Sequence, residues 1–113
     1  MGGHTLARHV GATDAQLLTR LQQSTRIRGA STFFDRETAE SLISQTIKQN
    51  RALIQQWLRS GSDDALVLQY IGRSAIGRGM FRGEQVVHPM TDARILLRRS
   101  LHGEYYIHTA YPE

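Results

Sequence analysis

The chain has 113 residues, no cysteine, and fourteen Lys and Arg against ten Asp and Glu, for a net charge of +4. That length fits one domain, 1–113, and the missing thiols exclude disulfides, thiolate nucleophiles and cysteine-based zinc sites. A mean hydropathy of −0.39 belongs to an ordinary folded globule, and no stretch approaches the roughly 20 apolar residues of a membrane span, so no membrane association is expected.

The cations are almost all of one kind. Only Lys48 is a lysine, and the other thirteen are arginines. Arginine presents a planar fork of donors that matches phosphate oxygens in pairs and stacks on bases. A GC-rich coding sequence gives the same bias, so a polyanionic partner is allowed by the composition and not specified by it. The opening Met-Gly-Gly-His lacks the basic-then-apolar pattern of a signal peptide, so export is expected to come from a larger parent chain or a secretion machine.

Leu6 and Val10 are four apart, with Thr5 positioned to cap a short helical turn and Gly11 to end it. A second helix is expected from Thr13 or Asp14, with Leu17, Leu18 and Leu21 on one face and Arg20 beside them. Asp35 is the N-cap of the longest element, in which Ala39, Leu42, Ile43, Ile47, Ile54, Trp57 and Leu58 recur at helical spacing. A single helix of about 25 residues would run nearly 40 Å at 1.5 Å per residue, so a kink near Gln49 to Arg51 is the alternative. Gly61 closes it.

Beyond Gly61 the period changes to that of strands. Ala65 to Ile71 reads as one, and glycines then cut the chain around Ile76, Met80 and Phe81. The G-R-x-x-x-G-R-G run does not have the spacing of a phosphate-binding loop. Arg73, Arg78 and Arg82 within it either line a nucleic-acid track or are surface arginines. Arg94 to Arg99 and Glu104 to Tyr111 form a hairpin around Leu101-His102-Gly103. Strand alternation puts Tyr105, Ile107, Thr109 and Tyr111 on one face, and turns Tyr106, His108 and Ala110 to the other.

Five histidines are present (His4, His9, His88, His102 and His108), with no HExxH and no paired carboxylates apart from Asp63-Asp64 in a Ser/Gly-rich turn. Two-metal and zinc hydrolysis therefore lack obvious parts, no cofactor is expected, and metal-free acid–base chemistry remains.

The opening G-G-H-T-L-A-R-H-V-G, the D-A-Q-L-L-T-R-L helix and the ending E-Y-Y-I-H-T-A-Y-P-E resemble the bacterial RNase A-like toxin domains. Those domains lie at the C-termini of contact-dependent inhibition proteins and other polymorphic toxins. The likeness covers essentially the whole chain, its middle matching in pattern: a long helix after A-S-T-F, then I-G-R-x-x-x-G-R-G. It implies an α+β fold of the pancreatic ribonuclease A type, with N-terminal helices packed on a curved antiparallel sheet and no disulfides. It also implies a metal-independent ribonuclease toxin of interbacterial competition that cuts RNA by 2′-hydroxyl attack, leaving a 2′,3′-cyclic phosphate.

Under this resemblance the family's His, Arg, Thr and Tyr fall on His9, Arg20, Thr109 and Tyr111, with His4 a weaker second candidate. His9 would be the general acid or base, since unperturbed histidine titrates near pH 6.5. Arg20 would clamp the phosphate while Thr109 and Tyr111 hold it or an adjacent base. Vertebrate ribonucleases use a second histidine on the last strand; alternation turns His108 away from Thr109 and Tyr111, which argues against it in that role. The implied partners are RNA, either one tRNA or RNA in general, and a cognate immunity protein. The domain would act as a monomer in the target-cell cytoplasm, delivered as the C-terminal part of a larger effector. The alternatives are a non-catalytic single-stranded RNA-binding module and, ranked lower, an ADP-ribosyltransferase toxin.

Overall fold

The computed structural model describes residues 9–84 and 86–113; the short helical turn expected from Thr5 lies mostly outside them. The described elements run in the order α1 (Asp14–Gln23), β1 (Gly29–Phe33), α2 (Arg36–Gln49), α3 (Arg51–Ser60), β2 (Leu66–Tyr70), β3 (Gly77–Phe81), β4 (Val87–Met90), β5 (Ala93–Arg99) and β6 (Tyr105–Pro112).

Local chemistry sets the helix ends. Thr13 and Gln16 form a reciprocal capping box at the start of α1. The Asp35 carboxylate accepts from the Thr38 backbone N–H at 2.7 Å and caps α2. Hydrogen bonding from the Thr38 backbone, and after it from the Thr38 side chain, holds the Asp35 carboxyl below its ordinary pKa. The long apolar stripe breaks at Asn50 into two helices, α2 and α3. Gly61 ends α3 in the left-handed region at φ 71°. Arg99 then donates to the Leu58 and Trp57 carbonyls at 2.7 Å each, a cation at the negative end of the helix.

The strands make two three-stranded antiparallel sheets, ordered β1-β3-β4 and β2-β5-β6. The α+β class with antiparallel sheets and no disulfides is as expected; the sequence reading did not place β1, which sits between α1 and α2 and pairs with β3. Its Gly-Ala-Ser-Thr-Phe sequence is too short and mixed to show a strand period, and the pairing alone defines it. Leu68, Ala93, Ile95, Leu97 and Ala110 of the second sheet meet Ala39, Leu42, Ile43, Ile54 and Trp57 of α2 and α3 in the main core. A smaller core joins Leu17 and Leu21 of α1 to Ala12, Ala30 and Met80. Leu18, expected on the same apolar face, is 43% exposed.

The two sheets are tied where their strand ends meet. The Ser31 hydroxyl donates to the Pro112 carbonyl at 3.0 Å. Gly77 lets the chains approach: a Cβ there would sit 2.4 Å from the Thr32 carbonyl oxygen and 2.7 Å from Cγ of Pro112. Val10 bridges Phe33 in parallel, and the Phe33 N–H donates to the His9 carbonyl at 2.6 Å. His9 and Val10 are thereby pinned against the end of β1.

Candidate active site

A cleft of about 740 Å³ opens at this seam. Its walls come from six elements and the segment before α1. His9 precedes α1, Arg20 sits on α1, Gly29, Ala30 and Ser31 on β1, and Phe81 and Met90 on β3 and β4. Arg94 comes from β5, and Thr109, Tyr111 and Pro112 from β6. His9, Arg20, Thr109 and Tyr111, which are far apart in sequence, thus line one concavity. Each is partly buried, a setting that strengthens charge interactions relative to water.

Particular contacts position them. The His9 and Tyr111 rings are 6.1 Å apart between centroids and tilted by 46°. Arg20 Nη1 donates to the Ser31 carbonyl at 3.2 Å, which aims the guanidinium across β1 toward the seam. The α1 capping box and the burial of Leu17 and Leu21 fix the helix that carries it.

Thr109 and Tyr111 reach the cleft because β6 is irregular. Leu97 pairs with Ile107, but Leu96 pairs with Thr109, so His108 is the extra residue of a bulge. Each such residue shifts the alternation by one. Tyr105 and Ile107 therefore pack on the main core, while Thr109 and Tyr111 take the opposite face. The expectation that all four share a face is corrected accordingly. The same shift removes the argument that alternation turns His108 away. His108 lies on the outer face near Tyr106, with ring centroids 6.5 Å apart, and it is exposed and outside the cleft lining.

The bulge also exposes a residue that the sequence reading missed. Arg94 pairs directly with Tyr111, so its side chain shares that face and lines the cleft. Glu113 holds it at 3.3 Å. Counting back from the hairpin turn with regular pairing would have set Tyr111 opposite Ala93 and hidden this neighbour. Arg28 and Phe81 also line the cleft, and no motif marked them.

Arg73, Arg78 and Arg82 lie elsewhere. Arg78 bonds the Asp14 carboxylate and the Ala12 carbonyl, and Arg82 bonds the Ile27 and Ser24 carbonyls. Both guanidiniums clamp the ends of α1 to β3. Arg73 is exposed in the loop after β2, and none of the three lines the cleft. His4 falls outside the described residues. Among the described residues no three His, Asp or Glu side chains gather as a metal site requires, and no helix is long and apolar enough to cross a membrane.

An α+β scaffold with a basic, histidine-bearing cleft at the seam of two antiparallel sheets defines the class, and the comparisons supply the family. The family model described as the bacterial CdiA-CT RNase A domain matches residues 3–112. A solved structure described as a CdiA-CT/CdiI complex from Y. kristensenii 33638 is similar, with 40% sequence identity and a TM-score of 0.87. The match covers 97% of this chain and 98% of that one. No curated protein matches the chain. The chain belongs to the bacterial CdiA-CT RNase A domains, the ribonuclease toxins of contact-dependent inhibition.

Proposed function

We propose that the 113 residues act as one domain that cuts RNA at this cleft without needing a metal ion. RNA carries its own nucleophile, the 2′-hydroxyl beside the scissile phosphate, so the enzyme has to position groups and stabilise charge. His9 takes the proton of the 2′-hydroxyl while Tyr111 or a water gives the leaving 5′-oxygen its proton; in the opposite assignment water takes the first proton and His9 gives the second. The 2′-oxygen bonds to phosphorus, the P–O5′ bond breaks, and the 5′-oxygen leaves as a hydroxyl. A 2′,3′-cyclic phosphate remains. Arg20 and Arg94 hold the phosphate oxygens as negative charge grows on them. The Thr109 and Tyr111 hydroxyls fix the same group, and Tyr111 stands next to the His9 ring.

The observation that carries this reading is the convergence of His9, Arg20, Thr109 and Tyr111 on one cleft. The likeness to a CdiA-CT/CdiI complex supports a cognate immunity protein that covers the cleft in the producing cell. It also supports delivery as the C-terminal part of a larger effector that acts on RNA in the target cytoplasm. Labelled RNA incubated with the protein and EDTA should yield cyclic phosphate ends. With His9→Ala the rate should fall by about 10² to 10⁴, the usual contribution of acid–base catalysis, while the circular dichroism spectrum is unchanged. Near-normal cleavage by that variant would remove His9 from the mechanism.

A further inference from the structure

The outer face of the β2-β5-β6 sheet carries groups that the chemistry of the cleft leaves unused. Along β5, Ala93, Ile95 and Leu97 are buried in the main core, so alternation turns Arg94, Leu96 and Arg98 outward. Their partners on β6 are Tyr111 for Arg94, Thr109 for Leu96 and Tyr106 for Arg98, with the bulged His108 between the last two. The row that begins in the cleft at Arg94 and Tyr111 therefore continues along the two strands to Arg98 and Tyr106 at the hairpin end. Four residues of strand separate the two arginines, about 13 Å.

At that far end the surface is hollowed. A separate concavity of about 530 Å³ has Arg98, Tyr106, Leu101 and Asp63 in its walls, and none of these four lines the cleft. Adjacent arginines are divided here by the same alternation. Arg99 donates to the Trp57 and Leu58 carbonyls and lies 5.3 Å from the centre of the Trp57 ring, so its charge is committed to the fold. Arg98 is exposed, and no ion pair holds it among the described residues. Tyr106 is 39% exposed opposite it, and Leu101 is fully exposed beside the hollow. The His108 ring stands 6.5 Å from that of Tyr106 and is tilted to it by 71°. An exposed ring facing an open guanidinium across two strands suits one nucleotide: the ring stacks on a base of any identity, and the arginine meets a phosphate. Continuity names the occupant. A strand whose scissile phosphate lies at Arg94 reaches Arg98 by following one face of β5 and β6.

We infer that Arg98 and Tyr106 form a second contact site for the RNA strand, away from the site of cleavage, which takes a nucleotide farther along the same substrate. This rests on the ribonuclease reading above. The consequence is a preference for length. A substrate too short to span the row is held at the cleft alone, and a longer one is held at both ends. The gain falls on KM and leaves kcat alone, because neither residue meets the reacting atoms.

The test uses the whole chain and three single-stranded oligodeoxynucleotides, each with one ribonucleotide so that cleavage has a single position. The minimal probe has one nucleotide on either side of it. The other two are extended by about six nucleotides, one on the 5′ side and one on the 3′ side, within the span of a single-strand groove. For the wild-type protein, one extended probe should have a KM about ten-fold below that of the minimal probe, the order of effect that one base–aromatic stack brings. Arg98→Ala and Tyr106→Ala should each remove most of that advantage while leaving kcat, and KM on the minimal probe, nearly unchanged. Tyr106→Phe keeps the ring and should keep the advantage. On the extended probe Arg98→Ala should also flatten the dependence of log KM on log salt by about 0.7, the share of one phosphate contact on a single strand. Asp63→Asn, which removes a carboxylate from the hollow, should move KM the other way. Normal cleavage of the minimal probe shows that each variant is folded. Equal KM on all three probes for wild type would overturn the second site. So would an advantage that survives both alanine variants, or a loss equal on minimal and extended probes. A wild-type protein that cuts no RNA of any kind sinks the ribonuclease reading instead.

Discussion

The two sheets divide the work of the molecule unequally. The β2-β5-β6 sheet with α2 and α3 encloses the main core, where Ile95 and Leu97 are fully buried against Trp57 and its neighbours. The β1-β3-β4 sheet with α1 has only the small cluster around Leu17, Leu21 and Met80. Yet the smaller half carries Arg20, Arg28 and Phe81 and pins His9, while the larger half contributes Arg94, Thr109 and Tyr111 at its edge. A cleft at the seam can thus take a rigid strand platform from one side and a basic, aromatic wall from the other. Stability and chemistry should then separate under mutation.

Leu97→Ala, deep in the larger half, should give the largest loss of stability, about 2 to 5 kcal/mol by urea unfolding, because the cavity cannot collapse in a packed core. The remaining folded molecules should cut RNA at nearly the normal rate. Arg20→Ala is the counterpart in the smaller half. It should reduce kcat by about 10² to 10³, as loss of one preorganised charge donor does, and leave the urea midpoint little changed. If Leu97→Ala impaired catalysis as severely as folding, or Arg20→Ala unfolded the chain, the division between halves would fail.

Gly77→Ala addresses the seam itself. Its new methyl must displace the Thr32 carbonyl or the Pro112 ring, next to Tyr111. A loss of about 1 to 3 kcal/mol is expected from the overpacking, with reduced activity in the folded protein, so both measurements should move together.

The smallest effect is one of pH. The Asp35 carboxyl is held below its ordinary pKa by Thr38, so the charged cap stabilises the native chain above the usual carboxylate range. That contribution is lost as pH falls through the lowered native value. The melting temperature of wild type should therefore drop more steeply between about pH 5 and about pH 3 than that of Asp35→Asn, which caps without titrating. Parallel curves for the two proteins would remove Asp35 from the acid response.

Much of this was legible along the chain. Thr13 and Asp35 announced their helices because caps are local chemistry, and the apolar stripe through Trp57 announced the packed face because period depends only on order. The break at Asn50 was readable as a limit on helix length. The β1 strand was not, since Gly29 to Phe33 gains its identity from β3, a partner some fifty residues away.

His9, Arg20, Thr109 and Tyr111 could be singled out as residues by their resemblance to a family. Their presence on one surface could not, because that depends on a single unpaired residue. With regular pairing, Thr109 and Tyr111 would follow Tyr105 and Ile107 into the core; the bulge at His108 turns them outward and sets Tyr111 beside Arg94. Sequence determined which groups are available and which helices form, since those follow from local periodicity and capping. The tertiary structure decided which groups meet, because strand register is a property of two strands' backbone hydrogen bonds and one extra residue reverses every side chain beyond it.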